Sequence, residues 1–308
     1  MGLIGLVALA ILGWLALPRR LEANPIEGVC LGFLLAALGA SVEMLFFDLA
    51  GFGWNPWVVL APWGAVAFWL TLKQRPALGI ECNACQLAPA IAIVATLATW
   101  GAYERLMPLT SQSWDAWAIW LFKSKAFFLD GGISGYLVRT EEFIGQPGYP
   151  LLTPLLVTFV YELEGTVVDH LGKITSPVFF LALLGTAHYL VRRSAGTVAA
   201  AAFTAIAALT PLLPYVAFEL AGYADTAVAA YILAAGGFLY LWLRSGSLVN
   251  LAAASLAATA AAWTKNEGQL FLAAIGVVAA AEDLAAAHED RAVLCLEGRL
   301  LRRGGGQR

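Results

Sequence analysis

Charge is scarce in this sequence. Asp, Glu, Lys and Arg make up 13% of its 308 residues, about half the share of an ordinary soluble domain. A solvated globular fold of this size is therefore excluded. The net charge of −3 is spread along the chain, and no RNA- or DNA-reading motif occurs, so nothing argues for a nucleic-acid partner. Cysteine is sparse as well, and four residues define no disulfide framework. Cys82 and Cys85 form a single CxxC, half a zinc site, with no second Cys or His pair near it. The opening MGLIGLVALAILGWLALPRR lacks a basic leader and an A-x-A cleavage site. It is expected to be a first span with Arg19 and Arg20 at its exit, not a removed signal. HExxH, GxSxG, a Walker A loop and GxGxxG in its required context are all missing. Soluble nucleotide chemistry goes with them.

What the chain has instead is apolar length. It is 60% hydrophobic with mean hydropathy +0.76, and its apolar runs repeat near the roughly 17–25 residues that cross hydrocarbon. Spans are expected at about 1–17, 26–47, 56–72, 87–103, 174–191, 195–218, 226–243, 247–264 and 268–284. A further run, YPLLTPLLVTFVYELEG at 149–165, is short for a span. Charge decides its status. Basic residues in short loops collect on the cytoplasmic side. Arg19/Arg20, Lys73/Arg75, Arg192/Arg193, Arg244 and the Arg-rich tail fall on one side only if 149–165 dips or lies on the surface. The expectation is nine spans, an outer N-terminus, an inner C-terminus and one long outer segment at 104–173. Asp115, Asp225 and the TKNEG stretch at 264–268 then share the outer face.

Three local patterns carry polar groups on that face. SWDAWAIWLFKSKAFFLDGG (113–132) reads as an amphipathic interfacial helix. Ser113 would cap it and Asp115 sit in its first turn. Trp114, Trp117, Trp120, Leu121, Phe127 and Phe128 would face the membrane, Lys123 and Lys125 would snorkel upward, and the glycines of LDGG would end it. An aromatic anchor belt with an incidental capping Asp reads equally from composition. Asp225, in AGYADTAVAAY, is either a helix cap or a carboxylate at the mouth of the bundle. AAWTKNEGQLF (261–271) is either a polar hairpin turn or a site in which Lys265 offers a point charge to a phosphate, with Asn266 and Glu267 orienting it. GQPGYPLLTPLL (145–156) fits the wall of a cavity at membrane depth. Glu43 is a further carboxylate near the outer end of a span, and His188, near Arg192, is expected to be a satisfied bundle histidine.

Taken in order, WDAWAIWLFKSKAFFLDGG, PGYPLLTPLL, GYADTAVAAY and AAWTKNEGQLF resemble bacterial polytopic glycosyltransferases of the GT-C superfamily. The nearest branches are the dolichyl-phosphate-mannose-protein mannosyltransferase-like and aminoarabinose-transferase-like ones. The resemblance covers about residues 88–285. It implies an all-α, polytopic transmembrane helix bundle in the bacterial inner membrane, working on its extracytoplasmic face. Residues 1–87 would be an added three-span portion, 88–285 the core, and 286–308 a polar cytoplasmic tail. Relatives continue past the lysine motif, so the chain reads as C-terminally shortened. The implied reaction moves a sugar from a polyprenyl-phosphate donor to an acceptor hydroxyl on a glycan, lipid or protein, with inversion. By motif position, Asp115 and Asp225 are the catalytic pair. Lys265, Asn266, Glu267, Tyr149, Trp114 and Lys123 would bind substrate. The TKNEG turn carries an insertion relative to the mannosyltransferase-like pattern. No cofactor is fixed; a divalent cation (Mg or Mn) shared by Asp225 is one option and orientation of the acceptor the other. The rival readings are a transporter or lipid flippase, and a non-catalytic membrane scaffold.

Overall fold

The computed structural model describes residues 1–73, 113–133, 146–282 and 284, and every regular element among them is helical. Helix α1 (Gly2–Ala16) ends at Leu17, whose extended backbone is what the following Pro18 requires. A short turn, Arg19–Leu21, leads to α2 (Pro25–Leu49). Here Asn24 and Glu27 form a reciprocal capping box, each side chain accepting from the other's backbone N–H at 2.9 Å, with Pro25 in the first turn. Helix α3 (Pro56–Lys73) returns antiparallel. The segment 113–133 contains a π-helical turn, Ala116–Trp120, that continues into α4 (Leu121–Asp130), closed by Gly131 in the left-handed conformation as its sequence requires. Helices α5 (Leu152–Glu164), α6 (Thr175–Ala195) and α7 (Thr197–Leu209) follow. Then come α8 (Asp225–Ser245), the Ala-rich α9 (Leu248–Thr264) and α10 over 266–282.

Among the described residues, three helical stretches are long and apolar enough to cross a membrane: Pro25–Leu49, Asp169–Ala195 and Asp225–Ser245. A fourth arises if Thr197–Leu209 and Leu212–Glu219, bent by 60°, count as one. The bend falls at Pro211 and Pro214, where ring geometry and the missing N–H break the helical ladder. The nine-span threading is thus supported only in its coarse form. Helices α1 and α9 have 15 and 17 residues, at most about 25 Å at 1.5 Å per residue against a core of roughly 30 Å. The expected span at 87–103 lies outside the described residues, as do Cys82, Cys85 and the tail. Bulky apolar side chains such as Leu49, Phe68, Ile206 and Leu270 face outward, a surface suited to hydrocarbon.

Helix α5, with 13 residues, is about 20 Å long, short of a hydrocarbon core of roughly 30 Å, and it does not lie on the surface of the bundle. Every residue from Leu152 to Tyr161 is buried, and it packs against α1, α2 and α4. The short apolar run that parity set apart is a plug at one end of the bundle. Helix α6 is the central strut, touching α2, α7 and α8.

The long helices give the bundle two ends. At one, Arg192 clamps Glu27 through Nε and Nη2 at 2.7 and 2.6 Å, and its Nη2 also donates to the Glu22 carbonyl. His188 Nδ1 lies 2.8 Å from Glu27 Oε1, but its Nε2 is buried without a hydrogen-bond partner among the described residues, so the bundle histidine the sequence suggested is satisfied at one ring nitrogen only. Arg193 pairs with Glu22. Leu70 and Thr71 line one cavity with Arg19 and Glu22, and Leu248 another with Leu17 and Leu21. The ends of α3 and α8, with Lys73 and Arg244, therefore belong here too. Among the described residues all the arginine clusters gather at this end, as the parity argument requires. At the other end Asp48 accepts from the Ile133 N–H at 2.9 Å, tying α2 to the turn after α4.

Candidate functional site

The site is built at the end away from the arginines, where α8 begins. The chain enters α8 through Gly222 at φ +95°, a conformation that favours glycine, and a Cβ there would lie 2.9 Å from the Ala116 side chain. The Gly222 N–H donates to Ser176 Oγ at 2.9 Å, and that hydroxyl donates to the Tyr223 carbonyl at 3.5 Å. The N-terminus of α6 thereby fixes Tyr223 against the start of the 113–130 helical segment. There the Asp115 N–H donates to Tyr223 Oη at 3.2 Å. Burial raises the Tyr223 pKa, the Asp115 N–H opposes that shift, and the Asp115 and Asp225 carboxylates add to it. The phenol stays protonated between two acids.

Asp225 is the first residue of α8, after the N-cap Ala224. Its carboxylate accepts from Lys265 Nζ at 2.9 Å, across forty residues of sequence. Lys265 stands alone in extended backbone between α9 and α10. Its N–H donates to Ala261 O, and Gly268 N–H donates to its carbonyl. Glu267 Oε1 lies 3.3 Å from Nζ on the exposed side. Burial lowers the Lys265 pKa, but the carboxylates of Asp225 and Glu267 outweigh it and hold the ammonium above the ordinary lysine value. Its side chain keeps 16% exposure against 39% for Asp225.

A second layer lies beneath. Tyr149 packs its ring on Trp120 at 5.2 Å between centroids, and Trp120, Ile119 and Ala224 form one buried cluster with Tyr149 at its edge. Here the sequence expectation needs correction. Lys123 does not reach upward: it is fully buried, its Nζ donating to the Tyr149 carbonyl at 3.0 Å, and burial pushes its pKa down to about 8. Trp120, Leu121 and Phe127 face the protein core, not the membrane. The π turn explains both. Its residue spacing is wider than 3.6 per turn and shifts the helical phase that follows, so that Trp120, Leu121, Lys123 and Phe127 face inward while Leu129 and Asp130 stay exposed. Trp114 and Trp117 stay exposed, edge to face at 4.4 Å, and Lys125 is exposed as expected.

Of the sequence candidates, the structure therefore joins Asp115, Asp225, Lys265 and Glu267 into one row, with Tyr149 and Lys123 in the wall behind. Asn266 is exposed and accepts from Gln269 Nε2 at 3.4 Å, and Trp114 sits on the outer flank. Sequence reasoning missed Tyr223, which links the two halves of the row, and Ser176, which pins it. Tyr223 stands directly after a Gly and two residues before Asp225, a signal available within the quoted motif. The donor set does not fit a shared divalent ion: Asp225 Oδ1 already faces an ammonium, and no three His, Cys, Asp or Glu side chains among the described residues converge on a metal position. Glu43, half-buried in α2, and Trp63 of α3 stand apart from the row. Comparison with known protein families, curated proteins and solved structures returns no match.

Proposed function

We propose that this chain is a membrane glycosyltransferase of the GT-C kind, transferring a sugar from a polyprenyl-phosphate donor to a hydroxyl acceptor at the extracytoplasmic face of a bacterial inner membrane. The observation that supports it most is the meeting of Asp115, Tyr223, Asp225 and Lys265 at one end of an apolar bundle, opposite its arginines. Basic residues favour the cytoplasmic side, and on that rule the row is read as facing the opposite side.

The roles follow from the contacts. Lys265 is held charged by Asp225 and Glu267 and keeps a donor hydrogen for a phosphate oxygen. It stabilises the charge that builds on the leaving phosphate. Asp225 aims that ammonium. Asp115 is the base, half-exposed and held through its backbone by Tyr223. It takes the acceptor proton as the acceptor oxygen bonds the anomeric carbon; the bond to the phosphate oxygen breaks on the opposite face, and the configuration inverts. A positioned base of this kind contributes about 10²–10⁴-fold. The test uses the purified chain, a radiolabelled polyprenyl-phosphate sugar and a panel of acceptors. Asp115→Asn is expected to lower transfer by about 10²–10⁴-fold while donor binding persists. Transfer at the parental rate in that variant would remove Asp115 from the chemistry.

The bent pair Thr197–Leu209 and Leu212–Glu219 favours a second reading. Broken helices line transporter pathways, at mid-depth. Movement of the intact polyprenyl-phosphate sugar across the bilayer of reconstituted vesicles, with no acceptor product, would support it.

A further inference from the structure

At the arginine end, a cavity of about 330 Å³ runs between α2, α8 and α9. Leu31, Leu34 and Leu38 form one wall, Phe238 the second, and Ala253 and Ala257 the third. The hydroxyl of Tyr231 is the sole polar side-chain group lining it. That hydroxyl already donates to the Leu34 carbonyl at 2.8 Å, so the slot offers nothing to a polar ligand. Its lining spans about 10 Å along α2 and about 14 Å along α9, at 1.5 Å per residue.

One end of the slot is closed by Leu17, Pro18 and Leu21, which also wall a neighbouring cavity of about 220 Å³ that holds Arg19. Arg19 and Arg20 are exposed, and neither pairs with a carboxylate among the described residues. The acids nearby are taken: Glu22 by Arg193, Glu27 by Arg192 and His188. An apolar slot with room for about the first ten carbons of an acyl chain thus begins next to the cavity that Arg19 lines, with Arg20 beside it in sequence and neither guanidinium paired with a carboxylate among the described residues.

We propose that this slot holds one acyl chain of an anionic glycerophospholipid, with Arg19 and Arg20 on its phosphate. Basic groups at the cytoplasmic ends of spanning helices are suited to such headgroups, and Arg binds phosphate as a fork. Neutral zwitterionic lipid enters the same slot without the headgroup preference. The slot lies at the far end from Asp115 and Lys265, and its occupancy does not depend on the sugar-transfer reading.

The experiment is native mass spectrometry of the full chain in detergent, after exchange with phosphatidylglycerol, phosphatidylcholine or a polyprenyl phosphate. One phosphatidylglycerol should be retained per chain, in preference to phosphatidylcholine. The double change R19Q/R20Q, at exposed positions, should weaken phosphatidylglycerol retention roughly tenfold or more and leave phosphatidylcholine unchanged. Ala253→Trp should fill the slot and abolish both; circular dichroism checks its helicity, and Ala253→Phe replaces it if the fold fails. Equal retention of the two glycerolipids, an unchanged R19Q/R20Q, or displacement of phosphatidylglycerol by polyprenyl phosphate would overturn the assignment.

Discussion

The two ends of the bundle treat ions in opposite ways. At the arginine end the central carboxylate, Glu27, is fully buried and its oxygens are shared among Arg192, His188 and a backbone N–H. At the other end Lys265 faces two carboxylates, both open to solvent, while Asp115 stands nearby, half-exposed. A closed network of this kind fixes helices relative to one another. An open one, with more acid than base and a protonated phenol between the acids, is able to exchange partners. The difference separates structural charge from chemical charge by burial: a glutamate occurs at both ends, but Glu27 is fully buried and Glu267 exposed.

The largest expected effect breaks the closed end. Arg192→Ala leaves Glu27 buried beside a histidine, and removal of one partner from a buried pair costs about 3–5 kcal/mol. Thermal unfolding in detergent should show it as a large loss of stability. A loss within 1 kcal/mol would mean that the network is wet and the contrast false. The mirror experiment is Lys265→Met. Asp225 is exposed enough to hydrate, so the stability change should stay under about 1 kcal/mol. Sugar transfer should nonetheless fall by about 10²–10³. Should stability drop while transfer holds, Lys265 belongs with the structural ions.

Tyr223→Phe sharpens the comparison further. It removes the acceptor for the Asp115 N–H, a contact worth about 1 kcal/mol, and lets the loop helix drift from the bundle mouth. Transfer should drop roughly tenfold to a hundredfold through misplacement of Asp115, with donor binding unchanged. Equal transfer by both forms would take the phenol out of the site. The smallest effect is in pH. The raised Lys265 pKa contributes stability that is full below the ordinary lysine value, near 10.4, and is lost as pH rises through the still higher folded value. The stability difference between the parent and Lys265→Met should therefore persist at pH 8–10 and vanish only above that range. A difference already gone at pH 8 would show that the pair does not form.

Much of this was legible because it is local. Gly131 as a helix end and the odd status of 149–165 both follow from short patterns. Charge parity placed the arginines at one end without any contact information. What stayed hidden depends on distant partners. Glu27 meets Arg192 across 165 residues, and no periodicity announces it. The capping reading of Asp225 was locally as sound as the pairing that the fold adopts. Lys123 and Trp120 were misplaced because a single π turn shifts helical phase, and nothing in SWDAWAIW writes that turn into composition. Tyr223 was passed over because an aromatic beside an acid looks like packing until its hydroxyl is seen to reach Asp115.

The junction of α9 and α10 carries one more consequence. A methyl group at position 268 would fall 2.0 Å from the Ala261 carbonyl oxygen, so the two rods meet backbone to backbone across a gap that a single carbon atom would block. Lys265 owes its location to that missing carbon, not to the rotamers of its own long stem. Mutation can change the cation displayed there, but the platform under it admits no gradual adjustment.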